Sequence, residues 1–388
     1  MAWTAVMTTA LTAAAITGIG ESQFGRSVDR PLARLVLDAC RAALDDAGLT
    51  ASEIDGVVAA GAYPGPDEVS VALGIDRTYT ASPGIPAGAG PLAAVETARA
   101  AVESGRASTV LVYYGYAGSK PGGPYGFHAQ DPVKASLEMP FGWYGQPVYF
   151  AAWAQRYCHT YGLDTDELGS IAVSNRMWAT MTPGAQRPKP LTEADYLSSP
   201  MIASPLRAAD CCLISDGAGA VVVTTVERAR DLARIPVVVA GSSTVAVGPS
   251  MTSYFTQAED MCSFGSAVSG PRAFAEAGLT PADVDVAEIY DCFSISQAIQ
   301  VEDLGLCGRG EALSFHRDGH TRPGGSLPVN THGGHLAYAY VPGIVHVVEG
   351  VRQLRRERGA AQVQNASTAV VAALAGGEHT TLILTEDR

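Results

Sequence analysis

Two segments of the chain, residues 43–60 and 273–290, carry the same succession of structural signals. Each begins with a helical pattern, stops at a glycine, continues through a capped turn that contains threonine, and ends in an apolar strand. Five residues of the first segment recur in the second at one constant spacing: Ala47, Gly48, Leu49, Thr50 and Asp55 correspond to Ala277, Gly278, Leu279, Thr280 and Asp285. Because so many structural roles repeat in one order, the sequence predicts a duplicated α/β chain.

A second, weaker repetition supports the duplication. A helical pattern around residues 95–103 precedes an apolar strand at 108–112, and a helical pattern around 347–355 precedes an apolar strand at 367–371. Helices that alternate with apolar strands are typical of parallel sheets with helices packed on both faces. The predicted fold class is therefore α/β, with two similar halves.

The repeats also suggest where the halves lie. We assign residues 1–234 to an N-terminal half and residues 235–388 to a C-terminal half. The first half carries an insertion at about residues 113–200, which is rich in aromatic residues, glycine and proline. Within residues 205–225 the pattern predicts two short buried strands, and residues 226–234 form a short predicted helix.

Charge and cysteine content exclude several classes of protein. The formal net charge of −13 argues against a nucleic-acid-binding protein, which needs a basic face. The seven cysteines are odd in number, irregularly spaced and free of any C-x-x-C pair, so neither a disulfide framework nor a zinc site is indicated, and no metal is expected. Reduced thiols are typical of a cytoplasmic protein. The apolar N-terminal residues lack a basic leader region, and we expect neither export nor a membrane span.

Residues 328–343 contain the densest group of candidate site residues. Polar and aromatic side chains are interspersed with glycines and prolines that allow sharp turns: Asn330, His332, His335, Tyr338 and Tyr340. A predicted helix from Ile344 to about Arg358 follows. Because a helix N-terminus offers free backbone N–H groups, this loop is a candidate site for developing negative charge.

Four blocks of the sequence resemble the thiolase superfamily: residues 42–55, 204–225, 287–297 and 330–343. In the last block Asn330, Gly333 and Gly334 keep the register of the family's Asn-Pro-x-Gly-Gly motif. The resemblance implies thiolase-like halves, each a βαβαβαββ unit, layered α-β-α-β-α.

The residues at the family's catalytic positions differ from those of a thiolase. Tyr340 occupies the position of the catalytic histidine, and Tyr290 occupies a position where histidine or asparagine is usual. Near the position of the nucleophilic cysteine the chain has Ala87, and no cysteine occurs between residues 41 and 157. The family's second cysteine also has no counterpart within residues 371–379. Thiolysis and Claisen condensation need a thiolate nucleophile, so thiolase activity is not expected.

The two tyrosines resemble one branch of the superfamily, the thiolase-like "lipid transfer protein" aldolases of sterol side-chain degradation in cholesterol catabolism. The resemblance implies a lyase that cleaves a 17-hydroxy steroid β-hydroxyacyl-CoA by a retro-aldol step, giving a 17-ketosteroid and propionyl-CoA. CoA is then part of the substrate, and no separate cofactor is expected. The resemblance also implies a small OB-fold partner protein, bound to a homodimer of this chain in an α2β2 heterotetramer.

A retro-aldol reaction needs a base for the hydroxyl proton, a group that holds the enolate and an acid that protonates carbon. We predict that Tyr290 and Tyr340 are the acid/base pair, without deciding which one is the base. A tyrosine base requires a lowered pKa, which a cation, hydrogen-bond donors or the helix start near Tyr340 would provide. His332 and His335 are candidates to orient a tyrosine or donate to the thioester oxygen. The backbone N–H groups of Gly376 and Gly377 are candidates for the oxyanion site, by position only.

Other interpretations of the same residues remain open. Asp291 more readily anchors a loop than reacts, and Asn330 more readily serves its turn. The chain could be a non-catalytic, thiolase-like subunit that binds acyl-CoA, or a protein-interaction module. A condensing or transfer enzyme that uses Cys292 or Cys262 as a substitute nucleophile is a further alternative.

Overall fold

The computed structural model of the chain describes residues 13–85, 88–120, 132, 134–247 and 258–387. Its strands are β1 Ala14–Glu21, β2 Gly56–Ala59, β3 Tyr79–Ala81, β4 Thr109–Ala117, β5 Met201–Ala203, β6 Leu206–Arg207, β7 Asp216–Thr225, β8 Val237–Ala246, β9 Val286–Ile289, β10 Thr368–Ala375 and β11 Glu378–Glu386. Its α-helices are α1 Leu32–Ala47, α2 Pro66–Leu73, α3 Ala89–Glu103, α4 Gln146–Tyr161, α5 Gly169–Thr180, α6 Glu193–Ser198, α7 Val226–Ala229, α8 Ser266–Ala277, α9 Ser294–Asp303, α10 Ala312–Arg317, α11 Gly334–Ala337 and α12 Ile344–Leu354. Within these ranges, no helix is both long and apolar enough to cross a membrane.

In the described part of the chain, nine strands form one continuous sheet, in the order β3-β2-β4-β7-β1-β8-β11-β10-β9. The order is symmetric about the contact between β1 and β8, because β2-β4-β7-β1 on one side matches β9-β10-β11-β8 on the other. The strand directions match as well. β4 and β7 are antiparallel like β10 and β11, whereas β2 and β4 are parallel like β9 and β10. The duplicated halves predicted from the sequence are therefore confirmed.

The expectation of parallel sheets holds for three strand pairs and is wrong for the others, since most neighbouring strands of this mixed sheet run antiparallel. The last strand of each half, β7 or β11, lies between two strands of its own half and runs antiparallel to both. A local hydrophobic pattern identifies a buried strand but does not specify the direction of its neighbours.

Helices form three layers around the two parts of the sheet. α1 packs on β1, β4 and β7, and α8 packs on β8, β10 and β11, so these two helices form the outer layers. α3 and α12 contact strands of both halves and each other, which places them in the middle. The predicted α-β-α-β-α layering is confirmed. The boundary between residues 234 and 235 stays a prediction.

The repeated aspartates explain part of the internal repeat. Asp55 accepts hydrogen bonds from the backbone N–H groups of Ser108 and Thr109, at 2.9 and 2.8 Å, where β4 begins. Asp285 accepts the equivalent bonds from Ser367 and Thr368, at 2.8 and 3.0 Å, where β10 begins. Each aspartate therefore satisfies backbone donors that would otherwise lack partners at a strand start.

Three local predictions differ from the structure. Residues 216–225 form the single long strand β7, preceded by the two-residue β6, instead of two short buried strands. α7 ends at Ala229, and α12 ends at Leu354, so both helices are shorter than expected. Boundaries are the least certain part of a periodicity argument, because tertiary contacts decide where the last turn unwinds.

Candidate active site

Tyr290 follows directly after β9 and is held there by its backbone. Its N–H donates to the carbonyl of Ala372 in β10 at 2.9 Å, and its own carbonyl accepts a bond from Gln300 Nε2 at 2.8 Å. The ring lies beside Gly88, at the start of α3. A Cβ atom at Gly88 would lie 2.6 Å from a ring carbon of Tyr290 and 2.3 Å from the carbonyl oxygen of Leu374. This close approach requires glycine at position 88.

Tyr340 reaches the same place from the loop between α11 and α12. Its backbone N–H donates to Ser215 Oγ at 2.8 Å, and this oxygen also accepts a bond from Gln186. The hydroxyl oxygens of Tyr290 and Tyr340 lie 2.9 Å apart, within hydrogen-bond distance. The structure therefore brings together the two tyrosines that the sequence predicted as a pair.

The tyrosine pair opens into a cavity with mostly apolar walls. The empty space within it is about 950 Å³, part of which is open to solvent. Its lining residues are Tyr116, Gly118, Gln146, Pro147, Phe150, Cys211, Cys212, Leu213, Ile214, Tyr290, Cys292, Phe293, Tyr340, Leu374, Ala375 and Gly376. A concave, apolar space with a few convergent polar groups is the usual form of a small-molecule site.

Of the two glycines predicted near an oxyanion site, Gly376 lies at the cavity wall. Gly377 does not occur among the described residues that line the cavity, and its carbonyl accepts a bond from the N–H of Val247 at 2.8 Å. Ala87, the residue near the expected position of the thiolase cysteine, lies outside the described residues. The oxyanion role of both glycines stays a prediction.

His335 packs behind the tyrosines instead of facing the cavity. Its ring meets those of Tyr290 and Tyr340 edge-on, with centroids 4.9 and 5.0 Å away. Nδ1 lies 2.8 Å from the Ala339 carbonyl oxygen, and Nε2 accepts a bond from the N–H of Gly343 at 3.4 Å. Burial lowers the pKa of His335 to about 3, so the ring is neutral. This placement supports orientation of the tyrosines, not donation to a thioester.

His332 belongs to a buried ionic network one step further from the cavity. Its Nδ1 lies 3.1 Å from the carboxylate of Glu288. Thr331 Oγ1 bridges the carboxylates of Glu288 and Glu349, and Arg358 donates to Glu349 at 2.9 Å. Although burial opposes the charged form, the neighbouring Glu288 carboxylate raises the pKa of His332. His332 is not among the described residues that line the cavity, so the geometry does not support a contact between His332 and a substrate.

Asp291 fixes the loop that carries Tyr340 to the strand end that carries Tyr290. Its carboxylate accepts bonds from the backbone N–H groups of His335 at 2.7 Å and Leu336 at 3.2 Å, and from Asn175 Nδ2 at 2.8 Å. Asp291 is fully buried, and burial raises its pKa. The anchoring role favoured from the sequence agrees with these contacts.

Asn330 holds the preceding turn. Its Oδ1 accepts a bond from the N–H of Ile289 at 2.7 Å, and its Nδ2 donates to the Ile289 carbonyl oxygen at 2.8 Å. The residue adopts a positive φ of 52°, which asparagine tolerates better than most residues. The side chain therefore serves the backbone, as expected.

Two buried triads in the described part of the chain have the composition of metal sites: Asp291 with His335 and His346, and Glu288 with His332 and Glu349. In the first triad, Asp291 and His335 already bond backbone groups. In the second, Arg358 balances one carboxylate and His332 the other. These contacts account for both triads as structural networks, and we assign no metal to them.

Burial sets the acidity of the tyrosine pair. It raises the pKa of Tyr290 and of Tyr340 well above the ordinary value. The expectation that the environment of Tyr340 lowers its pKa is therefore wrong in direction. Both phenols stay protonated at neutral pH, so the pair can pass a proton along but does not hold a stable tyrosinate.

The thiols near the site are poor nucleophiles. Cys292 lines the cavity, but burial raises the pKa of its thiol, and its Sγ lies 3.6 Å from Ser296 Oγ. Burial likewise raises the pKa of Cys262, which does not occur among the described lining residues. A buried protonated thiol has little nucleophilic character.

We expect Cys292→Ala and Cys262→Ala to keep the rate of carbon–carbon cleavage within about threefold of the wild-type value, because neither thiol takes part in the chemistry. Initial rates at saturating substrate measure this. A loss of roughly a thousandfold in either variant, with an unchanged melting temperature, would restore the thiol-nucleophile hypothesis.

Several residues of the site were missed by the sequence reasoning. Tyr116 lies at the end of β4, and Ser215 with Gln186 supports the backbone of Tyr340. A hydroxyl at a strand end was the available signal for Tyr116. Nothing local in the sequence distinguishes Ser215 or Gln186 from ordinary polar loop residues.

Comparisons with known proteins agree with this fold. The family model described as "Thiolase C-terminal domain-like" matches residues 248–386. The chain is 38% identical over 356 residues to the 17-hydroxy-3-oxo-4-pregnene-20-carboxyl-CoA lyase of Mycobacterium tuberculosis, covering 88% of this chain and 91% of that protein. It is 35% identical over 390 residues to the steroid side-chain-cleaving aldolase of Thermomonospora curvata, covering 97% and 98% of the two chains.

A solved structure named "Ltp2-ChsH2(DUF35) aldolase" superimposes with a TM-score of 0.89 at 34% identity, covering 97% of this chain and 98% of that one. An acetyl-CoA acetyltransferase structure from Syntrophomonas wolfei, at 17% identity and a TM-score of 0.72, shares the fold alone.

The chain belongs to the thiolase superfamily, in the branch that contains these aldolases and lyases. It is a carbon–carbon lyase of the aldolase type and not a thiolase.

Proposed function

We propose that this chain cleaves the side chain of a 17-hydroxy steroid β-hydroxyacyl-CoA, releasing a 17-ketosteroid and propionyl-CoA. The observation that carries the proposal is the pair of phenol oxygens of Tyr290 and Tyr340, 2.9 Å apart at an apolar cavity. Of the two relatives named above, one is by name a lyase of 17-hydroxy-3-oxo-4-pregnene-20-carboxyl-CoA and the other a steroid side-chain-cleaving aldolase, and the chain matches nearly the full length of each.

The proton movements of the reaction suit a hydrogen-bonded pair. The substrate hydroxyl gives its proton to the oxygen of one phenol, and this phenol passes its own proton to the second phenol in the same step, while the O–H electrons form the ketone. The bond between the carbinol carbon and the α-carbon breaks, and its electrons give the propionyl-CoA fragment the charge of an enolate. As this charge develops, the second phenol gives its own proton to the α-carbon, so that one proton moves from oxygen to carbon, both phenols end as they began and no covalent intermediate is needed. Which of Tyr290 and Tyr340 faces the hydroxyl stays open.

The walls of the cavity suit an apolar substrate. Aromatic and aliphatic side chains such as Phe150, Phe293 and Leu374 can bury the steroid rings, and burial of apolar surface stabilises such a complex. CoA enters as part of the substrate, and we propose no separate cofactor. The free state of all seven cysteines favours a reducing, cytoplasmic setting.

We further propose that the chain works with a small OB-fold protein of the DUF35 type. The structural relative with a TM-score of 0.89 carries both an aldolase and a DUF35 component in its name. A homodimer of this chain that binds two such partners would form the α2β2 assembly. Sedimentation of the co-expressed proteins tests this stoichiometry.

The experiment that tests the function is a cleavage assay. A 17-hydroxy steroid CoA thioester is incubated with the wild-type chain, with and without the DUF35-type partner, and propionyl-CoA and ketosteroid are quantified. Formation of both products in equal amounts supports the proposal. Tight binding of the thioester without cleavage, in the presence of the partner, would favour a non-catalytic acyl-CoA-binding subunit.

A further inference from the structure

The tyrosine pair supplies fewer proton donors than the reaction uses. When Tyr290 and Tyr340 hydrogen-bond to each other, one of their two O–H protons lies between the oxygens, and one remains for substrate. That remaining O–H serves the α-carbon, and the oxygen of the other phenol accepts the proton of the substrate hydroxyl, so the pair is fully used by these two transfers. The thioester oxygen, which gains negative charge as the enolate forms, needs a separate donor.

The two histidines expected from the sequence do not provide this donor. Both nitrogens of His335 are engaged by backbone atoms, and Nδ1 of His332 lies against Glu288. Neither side chain occurs among the described residues that line the cavity. A different hydroxyl or N–H group at the cavity wall has to fill this role.

Tyr116 is a third phenol in the same cavity. Its ring meets Tyr340 edge-on, with centroids 5.4 Å apart and an interplanar angle of 86°. Gly118 makes room for this ring, since a Cβ atom there would lie 2.7 Å from a ring carbon of Tyr116. Tyr116 lines the cavity, and within the described residues its hydroxyl takes part in no hydrogen bond.

The chemical state of Tyr116 fits a hydrogen-bond donor. Burial raises the pKa of this phenol, so it keeps its proton throughout the neutral range. A neutral O–H in a cavity with mostly apolar walls interacts more strongly with a developing oxyanion than it would in bulk solvent.

We propose that the Tyr116 hydroxyl donates a hydrogen bond to the thioester oxygen of the substrate and stabilises the enolate. Tyr116 is then a catalytic residue that contacts the reacting group, distinct from the pair that moves the proton. This inference rests on the proposed retro-aldol function.

Deuterium exchange into propionyl-CoA isolates the enolate step. In D₂O the α-carbon of propionyl-CoA gives its proton to one phenol oxygen of the pair, and the pair releases a phenol proton to solvent in the same step. The reverse movement returns a deuteron to the same carbon, with no steroid present. Tyr116→Phe should slow this exchange and the cleavage of steroid thioester about a hundredfold each. The dissociation constant of propionyl-CoA should change less than about threefold, because the ground-state carbonyl attracts the donor weakly.

Tyr113→Phe is the matched control. Tyr113 lies on the same strand with its hydroxyl bonded to the Pro64 carbonyl oxygen at 2.7 Å, and it is not among the described cavity-lining residues. The Tyr113→Phe variant should exchange the α-proton of propionyl-CoA and cleave the steroid thioester at the wild-type rates. Replacement of Tyr116 by a fluorinated tyrosine keeps the side-chain shape and strengthens the donor, so both rates should follow the acidity of the phenol.

The outcomes separate the two proposals. Cleavage by wild type together with undiminished exchange in Tyr116→Phe overturns the role of Tyr116 and leaves the function intact. If the wild-type complex exchanges the α-proton, Tyr116→Phe slows this exchange and no steroid thioester is cleaved, the role of Tyr116 is supported. The proposal of a steroid substrate is then overturned. Absence of both reactions in the wild-type complex overturns both proposals.

Discussion

Tyr290→Phe and Tyr340→Phe should each lower the rate of carbon–carbon cleavage by about a hundredfold or more, the usual effect of removing one acid/base group. Each substitution removes one of two oxygens that lie 2.9 Å apart, so the remaining phenol loses its proton partner. The double variant should lose little more than either single variant, since the pair acts as one unit. Single-turnover rates with the partner present measure these effects.

Tyr338→Phe provides the control for this experiment. Tyr338 lies in the same loop, but its hydroxyl donates to Glu21 at 3.1 Å, and it does not occur among the described residues of the cavity wall. The Tyr338→Phe variant should cleave the substrate at a rate within about threefold of the wild-type rate, because Tyr338 takes no part in the proton transfers. A hundredfold loss in Tyr338→Phe would instead assign the effect to loop structure.

Because burial raises the pKa of both Tyr290 and Tyr340, the wild-type cleavage rate should show no rise from tyrosinate formation between about pH 6 and about pH 10.

Asp291→Asn should lower the free energy of unfolding by roughly 3 kcal/mol. The Asp291 carboxylate now accepts hydrogen bonds from the N–H of Leu336 and the side-chain amide of Asn175. In the variant, the N–H groups of the new side-chain amide would face these donors. Buried donors that face each other lose their bonds and repel. The loop that carries Tyr340 should then move, and the cleavage rate should fall as well. Urea unfolding followed by fluorescence measures the stability change.

Asp318→Asn is the matched control, because the same chemical change occurs at an exposed carboxylate paired with Arg317. Exposed ion pairs contribute little, so the stability should change by less than about 0.5 kcal/mol. An Asp291→Asn variant as stable as this control would contradict the anchoring role.

Motif positions and internal repetition were the informative parts of the sequence. The tyrosine pair was predictable because Tyr290 and Tyr340 occupy two fixed positions of a recognisable motif, and the fold was predictable because the repeat 43–60 and 273–290 fixed its duplication. The direction of the strands was not predictable, since a buried apolar segment fits a parallel or an antiparallel neighbour equally well. The acidity of the tyrosines was also inaccessible, because it depends on burial by distant residues.

The histidines and Tyr116 show the same limit at the level of single side chains. His332 and His335 stand in the loop next to Tyr340, yet the turns at Gly333 and Gly334 direct both rings into the protein interior. Tyr116 stands far from the motif in the sequence, and the pairing of β4 with β7 brings it to the cavity. Neighbours in sequence are therefore not the neighbours that form the site.

The symmetric sheet has a consequence for how such an enzyme can change its chemistry. In the first half, Ala60 stands where Tyr290 stands in the second, and its N–H donates to the Tyr113 carbonyl oxygen at 3.0 Å, as that of Tyr290 donates to Ala372 at 2.9 Å. The two copies of the repeat therefore share this backbone position and its hydrogen bond, although one carries a methyl group and the other a phenol. The side chain at this place can consequently differ between the halves without any change in the strand pairing that holds it.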